Sequence, residues 1–127
     1  MKNVIDASFV LDFLLPDEQS AYVIKSFKEY KKGERNFIAT IILPFEVANG
    51  LKYAVKAKRI KENIASELLQ TFFKLDISLL QINLEKTLQV SLEKEISIYD
   101  ASYLWLSNTR NAPLLTLDDK LKKLGVG

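Results

Sequence analysis

Short apolar runs alternate along the chain with longer stretches in which apolar residues recur every three or four positions, a pattern that predicts strands interleaved with helices. Asn3-Val4-Ile5 reads as a short buried strand. The segment SFVLDFLL (8–15) has a helical period broken only by Asp12, which is expected on the solvent side; Pro16 stops it. DEQSAYVIKSFKEYKKG (17–33) predicts a second helix with acids at its start, lysines at its end and Gly33 as the stop. NFIAT (36–40) predicts a strand. LPFEVANGLKYAVKAKRI (43–60) predicts a helix with Pro44 in its first turn, and Gly50 inside it is a cost that close packing would justify. KENIASELLQTFFKLD (61–76) continues as a helix and ISLLQI (77–82) as a strand. NLEKTLQVSLEKE (83–95) is amphipathic, with Leu84, Leu88 and Leu92 on one face. SIYDASYLWLSNTR (97–110) is the more apolar helix and is expected to be buried. LLTL (114–117) predicts a last strand and DDKLKKLG (118–125) a short closing helix.

Alternating strands and helices favour a parallel sheet covered on both faces, an α/β fold. The 127 residues suit one domain, taken as 1–127. In such sheets the functional crevice lies beyond the carboxyl ends of the strands. Composition then narrows the chemistry. The chain has no His and no Cys, which removes thiolate zinc sites, Cys nucleophiles and any His general base. Carboxylates, Lys, Arg, Tyr and Ser remain, and carboxylates suit hard cations such as Mg²⁺ or Mn²⁺. No apolar run reaches the roughly 18 residues of a membrane span, and the N-terminus does not read as a secretory signal, so the chain is expected to be cytoplasmic. The net charge of +2 means that a nucleic-acid surface has to come from local clustering.

The acids are where that chemistry would lie. Asp6 directly follows the first strand, where it is either a helix N-cap or a residue of the crevice. Glu46 stands among apolar residues of a helix start: it is a first-turn acid favoured by the dipole, or a group that needs a partner against desolvation. Asp100 fits a capping box with Ser97, and the same geometry puts it at a helix start that can face the crevice. Asp118 follows a strand as Asp6 does, with Thr116 and Asp119 as another possible capping box. Each acid alone has a structural explanation. Clustered, they would repel one another unless cations neutralise them, and such a site can activate water against a phosphodiester.

VIDAS, PFEVANGL, IYDASYLWLS and LLTLDDKL, in that order, resemble the motifs of PIN-domain ribonucleases of the VapC toxin type, over essentially the whole chain. The resemblance implies a three-layer α/β/α sandwich around a parallel sheet, Mg²⁺ or Mn²⁺ at the acids, and cleavage of RNA. Carried over by position, Asp6, Glu46, Asp100 and Asp118 would be the catalytic and metal-binding acids. Ser8 would support the first Asp or a metal-bound water, Thr116 would orient Asp118, and Asp119 would join the site or cap the last helix. The resemblance also implies a cognate VapB-type antitoxin and a homodimer, with a stand-alone RNA-processing nuclease as the alternative.

Lys52, Lys56 and Arg59 after Glu46, and Lys120 after Asp118, are the candidate RNA-binding cations, although a solvated helix face explains most such residues. Tyr99, Tyr103 and Trp105 offer stacking surfaces, but core packing is favoured for Trp105. Two other classes compete. A dehalogenase-like phosphatase wants a second Asp where Ser8 stands, and a receiver wants an acid at the end of a later central strand, where none occurs. A non-catalytic module whose acids are only caps is the remaining rival.

Overall fold

The computed structural model describes residues 1–125. Four strands form one parallel sheet in the order β3-β2-β1-β4: β1 (Lys2–Ile5), β2 (Asn36–Thr40), β3 (Ser78–Leu80) and β4 (Leu114–Leu115). Val4 pairs with Ile38 on one side and Leu114 on the other, so β1 is central. Its Val4 and Ile5 are fully buried, as a strand covered on both faces requires. Among the described residues seven helices flank the sheet: α1 (Ala7–Leu14), α2 (Ala21–Lys31), α3 (Leu43–Lys56), α4 (Glu62–Lys74), α5 (Leu84–Lys94), α6 (Ile98–Arg110) and α7 (Asp119–Gly125). α1 packs on α2, α3 and α4, while α6 lies on β1 and β2 with α5 and α7 beside it. The result is the expected α/β/α sandwich. The chain leaves β1 toward β2 and later returns to β4 on the other side. The topological switch point therefore lies between β1 and β4, at their carboxyl ends.

Gly50 fulfils the packing expectation. A Cβ there would come within 2.3 Å of Leu11 Cδ1, so its absence lets α3 approach α1 closely. That approach brings Glu46, one turn earlier on α3, toward Asp6 at the head of α1. Pro44 sits in the first turn of α3, where its missing N–H costs nothing.

Several boundaries differ from the pattern. The second helix starts at Ala21, not Asp17. Gln19 takes a left-handed backbone (φ 59°), and Asp17 and Glu18 lie in the loop, both bound to Arg59 at 2.7–2.8 Å. α3 ends at Lys56 rather than residue 60, with Lys58 left-handed just beyond it. The last two strands are shorter than their apolar runs, and α7 begins at Asp119 because Asp118 caps it.

One side-chain expectation is reversed, and one apolar helix face proves exposed. Asp12 is buried, not solvent-facing: it accepts bonds from the Ser20 N–H at 2.7 Å and hydroxyl at 2.8 Å, clasping the start of α2. Leu84, Leu88 and Leu92 do share a face of α5, but that face is exposed, at 48–71% of each residue's surface. α5 packs toward α6 through buried Thr87 and half-buried Val90 instead.

Candidate active site

Asp6 stands at the carboxyl end of β1, one residue before α1. It caps α1 by accepting the Phe9 N–H at 3.1 Å, so the capping role is real. It does more than cap. The same oxygen, Oδ1, accepts the Ser8 hydroxyl at 2.7 Å, and Oδ2 accepts a short bond from the Thr116 hydroxyl beyond β4. Ser8 Oγ in turn accepts the Leu117 N–H at 2.9 Å, and Thr116 Oγ1 accepts the Asp118 N–H at 3.0 Å. With both hydroxyl protons committed to Asp6, the 3.2 Å approach between Ser8 and Thr116 is a contact set by their shared acceptor. The pair stitches β1 to β4 at the switch point. Thr116 thus serves chiefly Asp6, where the motif suggested Asp118.

Glu46 reaches the site from α3. Its Oε1 accepts the Tyr103 phenol at 2.7 Å, which answers the question of its partner. Asp100 lies in the first turn of α6, its N–H donating to Ser97 Oγ at 3.0 Å in the expected cap. Asp118 is exposed and accepts the Leu121 N–H at 3.1 Å as the cap of α7. Asp119 is the exposed first residue of that helix.

The electrostatics tie these acids together. Asp6 is 4% exposed, and burial raises its proton affinity. Thr116, Ser8 and the Phe9 N–H work against that rise, and the charge of Asp100 adds to it. Burial likewise raises Glu46; Tyr103 opposes the shift, and the charges of Asp100 and Asp6 reinforce it. Asp100 is raised by burial and then by the charge of Asp118, with Ser97 and Lys120 opposing. Four carboxyl groups from β1, α3, α6 and the β4–α7 junction therefore sense one another.

They do not form a ready-made chelate. Among the described residues no three acids stand close enough, as their side chains lie, to share one ion. Asp6, Glu46 and Asp118 are each turned to a protein donor instead.

A PIN domain family model matches residues 4–127. The chain belongs to the PIN-domain family. This PIN domain is 29% identical over 125 residues to Ribonuclease VapC3 of Pyrobaculum aerophilum, covering 95% of this chain and 92% of that one. Among solved structures, PAE2754 from P. aerophilum aligns with a TM-score of 0.76 at 21% identity, over 98% of this chain and 80% of that one. VapC20 of Mycobacterium tuberculosis, a toxin that cleaves the sarcin-ricin loop, aligns at 0.68 with 12% identity, over 100% and 97%. Those two likenesses establish the sandwich.

Of the candidate RNA-binding cations, Lys52 and Lys56 are exposed on α3, and the Lys52 ammonium lies 5.3 Å from the Tyr53 ring centre. Arg59 is committed to Asp17 and Glu18, so its charge is locally neutralised. Lys120 donates to the Glu95 carbonyl at 3.2 Å and its charge acts on Asp100, which puts it at the rim of the acids. Tyr99 is exposed beside Asp100, whereas Trp105 packs partly buried against the core. The role that motif reasoning missed is that of Tyr103: the sequence offers it as a stacking surface, and only the fold, across 57 residues, brings the acid to its hydroxyl.

Proposed function

We propose that this PIN domain is a divalent-metal-dependent endoribonuclease that hydrolyses RNA phosphodiester bonds, and that it is the toxin of a toxin–antitoxin pair. The observation that carries the reading is Asp6: a buried carboxylate held at the switch point by Ser8 and Thr116 and coupled in charge to Glu46 and Asp100. A cap alone needs neither the second strand's hydroxyl nor the company of two further acids. The family and the relative named as a ribonuclease support the same reading.

The donor chemistry fits Mg²⁺ or Mn²⁺, since every candidate ligand is a carboxylate oxygen. Mg²⁺ in phosphoryl sites is held by one or two carboxylates with waters and substrate phosphate, so three converging acids are not required. Glu46 Oε2 and Asp100 are the first candidates to hold it, with Asp6 Oδ2 beside them and Asp118 at the rim. When bound, the cation offsets phosphate charge and lowers the pKa of an attacking water. The chain's own part is to hold the acids in place and to keep Asp6 dry. Lys120 and Lys52 offer cations to the flanking phosphates.

The exposed leucine row of α5 supports a protein contact, which the toxin reading supplies as a homodimer or an antitoxin of the VapB type. No helix among the described residues is long and apolar enough to cross a membrane; a cytoplasmic location belongs to the proposal, as the compartment where a toxin of this kind meets RNA. The test is cleavage of a mixed RNA pool with Mg²⁺ or Mn²⁺ by wild type, by Asp100→Asn and with EDTA. Cutting that needs the metal and disappears in the folded variant is expected. Equal cutting by the variant overturns the assignment, and absence of both cutting and Mn²⁺ binding in wild type returns the acids to the role of caps.

A further inference from the structure

Tyr103 lies on α6 one turn beyond Asp100 and is 1% exposed. Packing alone does not call for its hydroxyl, because a phenylalanine ring fills the same space. A buried phenol needs an acceptor, and a backbone carbonyl usually serves. Tyr30 takes that course, donating to the Leu75 carbonyl at 2.7 Å. Tyr103 instead ends on a side chain of the acidic site, at 2.7 Å from Glu46 Oε1. Thr40, fully buried as the last residue of β2, places its hydroxyl against the same phenol. Tyr103 thus ties β2, α3 and α6 together under the acids.

Glu46 has more rotatable bonds than any other acid of the site, and the phenol is the one side-chain donor it has among the described residues. A carboxylate left free to rotate loses side-chain entropy whenever it takes up a ligand. With Oε1 committed, the rotation is fixed beforehand and Oε2 keeps both lone pairs. We propose that Tyr103 is a positioning residue, holding Glu46 so that Oε2 is free for a divalent cation. The proposal rests on the metal-dependent reading above, and it adds a residue that touches neither metal nor RNA. Partners that orient a metal's carboxylate ligands act in this way elsewhere, and their loss typically weakens metal binding roughly 10–100-fold.

The test is Mn²⁺ binding to the RNA-free protein, with free Mn²⁺ read by electron paramagnetic resonance. Wild type, Tyr103→Phe, Glu46→Gln, the double variant and Tyr30→Phe are compared, each checked for folding by thermal melting. Tyr103→Phe is expected to bind about tenfold more weakly. In the Glu46→Gln background the same change should cost nothing further, because the phenol acts through Glu46. Tyr30→Phe loses a partly buried phenol bond and should bind like wild type. A second measurement leaves Tyr103 in place: its ring-carbon signal at Cζ should shift on addition of Mg²⁺ in wild type and stay still in Glu46→Gln. Wild-type affinity in Tyr103→Phe, an equal loss in both backgrounds, or a Cζ signal indifferent to Mg²⁺ overturns the positioning role while the metal site stands. Failure of wild type itself to bind Mn²⁺ overturns the metal reading, and the positioning role with it.

Discussion

Replacing Thr116 with Val tests whether the switch point is held by hydrogen bonds to Asp6. Val has almost the same shape, so the change removes two bonds with little loss of packing. One is the donor to Asp6 Oδ2, and the other is the acceptor of the Asp118 N–H at 3.0 Å. A bond to a charged group is worth about 1.5–3 kcal/mol and a neutral one about 0.5–1.5, so the two bonds, one buried and one part-buried, predict a loss of roughly 2–4.5 kcal/mol. In a domain of this size that lowers the melting temperature by roughly 6–20 °C. The loss should depend on pH. Thr116 holds down the proton affinity of Asp6, so the variant's Asp6 takes up a proton more readily than the wild type's. Above both pKa values Asp6 is charged in each protein and the full charge-assisted bond is missing. Below both it is neutral, and only a neutral bond is lost. Urea titrations of metal-free protein at two pH values should therefore give the larger difference at the more alkaline one. Thr116→Ser, which keeps the hydroxyl, should recover most of it. A Thr116→Val variant within about 0.5 kcal/mol of wild type at both pH values, inside the ordinary range for inconsequential substitutions, would refute the reasoning.

Two further outcomes follow from the same geometry. Asp6, Glu46 and Asp100 all have folded pKa values above their ordinary 3.8, 4.5 and 3.8, so the folded state holds protons that the unfolded state releases. Their contribution is complete below those ordinary values and is lost as pH rises through the folded ones. The melting temperature of the metal-free protein should fall as pH rises from those ordinary values through the raised folded ones, and Mn²⁺ should flatten the slope; a metal-free profile that only rises contradicts the coupled-acid description. Asp12→Ala, which frees Ser20 at the head of α2, should cost about 1.5–3 kcal/mol in urea unfolding. It should leave RNA cleavage per folded molecule unchanged, and a selective loss of cleavage would move Asp12 into the site.

Local signals in this chain were legible and long-range partnerships were not. The acid after β1, Pro44 at the start of α3, Ser97 capping α6 and the place of Gly50 all depend on residues a few positions apart, or on an absent side chain. The burial of Asp12 is not legible in the pattern because its partner Ser20 lies eight residues away, past a left-handed Gln19, and a helical period cannot show a loop folding back. The leucines of α5 were assigned a face by their spacing. Spacing gives the direction of a face on its own helix, not whether the sheet or solvent meets it.

The site divides along the same line. Ser8 and Asp6 are two residues apart and read directly as a motif. Thr116 meets Asp6 across 110 residues and Tyr103 meets Glu46 across 57. The motif assigns Thr116 to the nearer acid, whose N–H its hydroxyl does accept, and the sequence offers Tyr103 only as a stacking surface. The acids alone do not distinguish a nuclease from a set of caps, since Asp6, Asp100 and Asp118 all sit at helix starts. What separates the two readings is the second layer of hydroxyls. Caps are satisfied by the backbone N–H groups of their own helices. Ser8, Thr116 and Tyr103 spend their protons on carboxylates that are already capped or free to face water, and they come from other elements in two of the three cases. That arrangement fits carboxylates that stay charged and in place.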